Sequence, residues 1–158
     1  MTATANPQVK VEERRRDLGE TLLALKDQRR KTLTAYCQIT GVSSPDQSSV
    51  SSMKDIAPVA LQEFLNIMVD YIAMGHFSVY QRIIEGKERR GAVKQAADVA
   101  YPGIGETTDV MVEFNDKYEN FDGASSDQEA LKDDLSRLGE MFAIRGELED
   151  EIIEALLG

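Results

Sequence analysis

Apolar positions along the chain recur at intervals of three and four, the spacing of one face of an α-helix. Over 11–39, Leu18, Leu22, Leu25, Arg29, Leu33 and Tyr36 keep this rhythm, and five of the six are apolar. One stripe of that helix faces a core. Gly41 is a fitting stop. The following stretch, 43–54, is rich in serine, whose hydroxyls compete for backbone hydrogen bonds and offer nothing to bury. It predicts a mobile loop between helices. A second helix starts near Pro58, a good first-turn residue, with Asp55 upstream as a cap. Leu61, Phe64, Met68 and Tyr71 form its stripe, broadened by Leu65 and Ile72. Gly75 interrupts it. Phe77, Tyr80, Ile83 and Ile84 then predict a third helix ending by Gly86, and 91–100 predicts a short Ala-rich one. Pro102 restarts the chain into a helix carrying Ile104, Val110 or Met111, Phe114 and Tyr118. After a turn at 120–125, Ser126 and Glu129 fit a capping box. Leu131, Leu135, Leu138, Phe142, Ile144 or Arg145, Leu148, Ile152 and Leu156 carry the last helix to the end.

No long segment alternates apolar and polar residues, so strands are not expected. About six helices with short connections imply an all-α, antiparallel helical bundle. The length of 158 residues suits a single domain, read as 11–158 behind a flexible polar tail over 1–10. No apolar run reaches the length of a membrane span, and the first residues lack the apolar core of a signal peptide. The single Cys37 excludes an internal disulfide. These features point to the cytoplasm and away from a membrane.

Charge divides the chain. Up to Pro102 there are 14 Lys and Arg against 12 Asp and Glu; from Gly103 onward there are 4 against 16. The whole carries −10. An acidic second half repels nucleic acid and favours a basic partner.

The residue inventory is poor in chemistry. One His and one Cys exclude the usual zinc sets and the paired Glu-x-x-His motifs of a di-iron bundle. Cys37 lies among apolar neighbours, the setting of an inert core thiol. Asn120, Asp122, Gly123 and Glu129 match part of a calcium loop, but Tyr118 stands where its first carboxylate belongs. Gly103 and Gly105 follow no strand and are no phosphate loop. No catalytic residue, metal ligand or cofactor is expected. The run from Val69 to Ile84 is the densest feature: one carboxylate, three aromatics, the sole His76 and Gly75. His76 reads as a packing residue at the break. Asp70 and Phe77 read as an acidic-aromatic patch of the kind that anchors protein interfaces.

Val69-Asp70-Tyr71, then Gly75-His76-Phe77-Ser78-Val79-Tyr80, then Arg82-Ile83 resemble the Rsd/AlgQ family of bacterial sigma-factor regulators. Arg145, Leu148-Glu149-Asp150 and Ile152 or Ile153 form a second match, and Ala35-Tyr36 with Gly41-Val42 a third. The resemblance implies an anti-sigma factor. It would bind the C-terminal helix-turn-helix domain, region 4, of the housekeeping sigma-70 factor and restrain its use by RNA polymerase, with no direct contact to nucleic acid. It implies a partner surface of Asp70, Ala73, Phe77 and Tyr80, joined by Leu22, Leu25 and Arg29 from the first helix. Gly75, His76, Tyr71 and Leu148 take structural roles. The chain departs from the family pattern at Ala24 and Leu25, where an Arg-Trp pair is usual, at Ala73, often Ser, and at Gly146, usually Phe. The alternative is a regulatory adaptor that binds a signalling enzyme or phosphocarrier protein instead of sigma.

Overall fold

The computed structural model describes residues 7–42, 54–81 and 90–157. They form helix α1 (Pro7–Thr40), helix α2 (Pro58–Gly75), a π-helical turn (His76–Tyr80), helix α3 (Gly91–Tyr118) and helix α4 (Ser125–Leu157), with no strand among them. The all-α expectation holds, with five helical segments in place of about six. Most of the serine-rich loop, the end of the third expected helix around Ile83 and Ile84, and tail residues 1–6 lie outside the described residues.

Contacts fix the topology. On α1 and α2, Gln28 donates to the Ile67 carbonyl (3.2 Å), while Tyr36, further along α1, meets Phe64, further back on α2. The two helices therefore run antiparallel. Arg145 reaches Thr107 and Thr108 while Tyr118 reaches Asp134, so α3 and α4 are antiparallel too. Ile56 pairs with Gln128 and Tyr71 with Glu149, which makes α2 and α4 parallel. The result is an up-down-up-down four-helix bundle, with the π turn prolonging α2.

The expected stripes form its core: Leu18, Leu22, Leu25, Tyr36, Leu61, Phe64, Met68, Met111, Phe114, Leu135 and Phe142 are all buried. Tyr36, Phe64 and Phe142 meet with ring centroids 5.5–6.2 Å apart, and the Tyr36 hydroxyl donates to the Leu135 carbonyl (2.7 Å). Two ambiguous positions resolve. Met111, not Val110, is buried; Arg145, not Ile144, is fully buried, and Ile144 is 44% exposed.

Four local expectations are corrected. Pro102 does not restart a helix; it lies inside α3. The carbonyl that loses its donor belongs to Asp98, which, like Pro102, is exposed, so water can satisfy it. Gly75 does not break α2 either: its backbone is helical, at φ −58° and ψ −48°. Ser126 is not a cap, since α4 starts at Ser125, and Glu129 instead lies 3.9 Å from Lys132. Asp55 does not cap α2, whose N-cap is Ala57; it pairs with Lys132 at 3.3 Å. Gly41 does end α1, with φ +72° and its N–H donating to the Cys37 carbonyl (2.8 Å).

Candidate docking site

The Val69–Tyr80 run divides by helical phase into an inner and an outer set. Tyr71, Gly75 and Tyr80 are buried; Val69, Asp70, Ala73, His76 and Phe77 are exposed. The inner set meets the second matched motif. Glu149, buried on α4, accepts hydrogen bonds from both tyrosines, Tyr71 at Oε1 and Tyr80 at Oε2 (2.5 Å to the latter). Two guanidinium groups balance its charge. Arg145 Nε lies 3.4 Å from Oε2, and Arg29 Nη1 lies 3.4 Å from Oε1 while its Nη2 donates to Asp150 (2.9 Å). Arg145 also donates to Thr108 (2.7 Å) and Thr107 (3.2 Å). Its guanidinium lies over the rings of Tyr71 and Tyr80, 5.2 and 5.8 Å from their centroids. Burial, and then the Glu149 charge, pushes both tyrosine hydroxyls well above their ordinary range, with Arg145 pulling the other way. Both therefore stay protonated and donate to Glu149.

Gly75 is small because of this cluster. A Cβ there would lie 3.0 Å from the Tyr80 ring and 3.5 Å from Arg145 Nη2. On the far side of Tyr80, Tyr101 of α3 packs edge-on and donates to the Tyr80 carbonyl (3.1 Å). Leu148 fills the space above Gly103, where a Cβ would come within 2.6 Å of its Cδ1. That close approach, and not phosphate, accounts for Gly103.

The outer set forms an edge of the bundle. Phe77 is 68% exposed and packs its ring edge against His76, centroids 4.9 Å apart. Asp70 and Ala73 precede it at helical spacing. Of the expected partner residues, Asp70, Ala73 and Phe77 are thus accessible. Tyr80, Leu22 and Leu25 are buried, which removes them from any surface contact with a partner: Tyr80 turns to Glu149, and the two leucines complete the α1 core stripe. Arg29 is half-buried and bound to Glu149 and Asp150. Beside those leucines on α1, Leu23 (68% exposed) and Ala24 are open to solvent. His76, expected to pack at the break, is exposed there with its ring against that of Phe77.

Other candidate chemistry is dispersed. Burial pushes the Cys37 thiol up, away from reactivity. Cys37 and His76 lie at opposite ends of the α1–α2 hairpin. In the calcium-like stretch, Tyr118 is turned to Asp134, and Asp122 accepts the Ala124 N–H (2.9 Å) in a turn around Gly123 at φ +83°. No helix among the described residues is long and apolar enough to cross a membrane.

Sequence reasoning left Arg145 and Glu149 without a role. The available signal was a charged i, i+4 pair set where α4 has Leu138, Phe142 and Ile152 on its apolar stripe.

A family model described as "Regulator of RNA polymerase sigma(70) subunit, Rsd/AlgQ" matches residues 6–157. Among similar proteins, one named "Regulator of sigma D" from Yersinia enterocolitica is 30% identical over 127 residues, covering 80% of this chain and 74% of the relative. Proteins of the same name from Yersinia pseudotuberculosis (29% over 131 residues; 80% and 73% coverage) and Salmonella newport (30% over 131 residues; 80% and 75%) are similar. No solved structure is a significant match.

Proposed function

The chain belongs to the Rsd/AlgQ family, and from that premise we propose that it is an anti-sigma factor acting by occlusion. It binds the C-terminal, region 4 domain of the housekeeping sigma-70 factor and keeps that domain from promoter DNA and core polymerase. The observation that carries the proposal is the exposed edge of Asp70, Ala73 and Phe77, held on a rigid, polar-locked core. Phe77 supplies an apolar anchor for the face with which sigma docks on polymerase. Asp70 and the acidic second half supply charge complementary to a DNA-reading surface, which speeds encounter and makes it salt-sensitive. Of the two positions where an Arg-Trp pair is usual in the family, Ala24 is exposed and Leu25 is buried, so the first helix offers this surface no aromatic of its own there. Binding alone performs this function. It needs neither catalysis nor a cofactor, and the site of action is the cytoplasm.

The test is a titration of the purified chain with the isolated C-terminal domain of its own host's sigma factor at low salt. A complex at micromolar concentration is expected. Phe77→Ala should weaken it about tenfold or more, as loss of an aromatic anchor does, with an unchanged helical circular-dichroism signal. Absence of a complex with the wild-type chain overturns the reading. Recovery of a signalling enzyme or phosphocarrier protein from host lysate, without sigma, would replace it by the adaptor function.

A further inference from the structure

Tyr71 and Tyr80 are nine residues apart, yet both hydroxyls reach one carboxylate. An α-helix turns about 100° per residue, so nine residues make about 900°, which leaves the two side chains on roughly opposite faces. A straight α2 would therefore carry Tyr80 outward, onto the face of Ala73. The π turn His76–Tyr80 removes the conflict. Its wider loop, closed by the Gln81 N–H donating to the His76 carbonyl, takes in one extra residue and sets the helix back by about one residue's rotation. Tyr80 then turns inward beside Tyr71.

We infer that Glu149 and Tyr80 are positioning residues for the docking edge: their hydrogen bond holds the π turn, and the π turn fixes how His76 and Phe77 are presented. The surroundings fit this role. Gly75 leaves room for the Tyr80 ring, which a Cβ would touch at 3.0 Å. Tyr101 holds the end of the turn through the Tyr80 carbonyl (3.1 Å). His76 and Phe77 are the first two residues of the turn, so any change in its register moves both rings. Neither Glu149 nor Tyr80 is accessible to a partner; both act through Phe77. The link from Phe77 to sigma rests on the proposed function, whereas the link from Glu149 to His76 does not.

His76 is the only histidine, so its imidazole protons give a single resolved set of signals in a proton NMR spectrum. Its edge-on contact with Phe77 places those signals under the ring current of a neighbour. Tyr80→Phe removes the hydroxyl bond and keeps the ring; Tyr71→Phe does the same for the partner tyrosine, within the regular part of α2. Tyr80→Phe should shift the His76 signals and weaken sigma-domain binding about tenfold, in proportion to the lost population of the competent turn. Tyr71→Phe should lower the melting temperature comparably and leave His76 in place. Deletion of Ser78 removes the extra residue while Tyr80 keeps its inward phase; it should shift His76 without lowering the melting temperature. Unmoved His76 signals in Tyr80→Phe, or equal shifts in both tyrosine variants, overturn the inference. If the wild-type chain does not bind the sigma domain, the anti-sigma reading fails and the His76 comparison still decides the inference.

Discussion

Arg145 shows how one side chain is made indispensable. It is fully buried, lies over the rings of two tyrosines and pairs with Glu149, and its Nη1 is hydrogen-bonded to two threonines of α3. Cutting it away leaves the Glu149 carboxylate in the interior with only the half-buried Arg29 to balance it. Breaking a buried pair from one side costs about 3–5 kcal/mol, because the remaining charge has lost its counterpart. Arg145→Met should therefore lower stability by about 3 kcal/mol in urea denaturation, despite its similar length and apolar character. Arg145→Lys should not restore the loss, since an ammonium cannot reproduce the spread of donors by which the guanidinium reaches Thr107 and Thr108 while lying over Tyr71 and Tyr80. This residue was half legible in the sequence. Periodicity left the core position open between Ile144 and Arg145, and hydropathy favours Ile144. What decides for Arg145 is a counter-charge four residues on and tyrosines from a distant helix, which no local pattern contains.

The helices themselves were legible because three- and four-residue spacing is a local property. Where an element continues or stops was less so. Pro102 reads as a boundary because it lacks an N–H, but α3 passes through it on the solvent side, where water can replace the lost bond. Pro102→Ala should restore an intrahelical bond at an exposed site. It is expected to raise stability by about 2 kcal/mol, between the cost of an interior proline and the entropy a proline removes from the unfolded chain. A thermal melt followed by circular dichroism reads this directly. Gly75 misleads in the same way: its signature is that of a break, and its function is space for Tyr80 and Arg145. The π turn leaves no composition signal at all. It follows from the nine-residue spacing of two tyrosines once Glu149 is known to face both.

At the scale of the whole molecule, all five tyrosines have hydroxyls pushed above their ordinary range, each chiefly by burial; Tyr101 is raised least, to about 12. The folded state holds these protons where the unfolded chain, titrating near pH 10, releases them. Their stabilising contribution is complete below about pH 10 and is lost as pH rises through the folded-state values. The melting temperature should be insensitive to the tyrosines at neutral pH and fall steeply above about pH 10. Tyrosinate absorbance should then appear together with loss of helix, not before it. The docking edge was legible as residue types in the sequence, through Asp70 and Phe77; the exclusion of Leu22, Leu25 and Tyr80 from it required the packed structure.

Most of the polar links that tie the first two helices to the rest of the bundle converge on α4. Tyr36 bonds to Leu135, Ile56 to Gln128, and Arg29, Tyr71 and Tyr80 to Glu149. Within each antiparallel pair the contacts are local, so α1–α2 can form while the chain is still being synthesised. The edge bearing Phe77 belongs to that first pair, but the carboxylate inferred to set its shape arrives only with α4. A nascent chain would carry the docking residues before it could use them. Competence to bind is thereby tied to the docking of α4 against the α1–α2 pair.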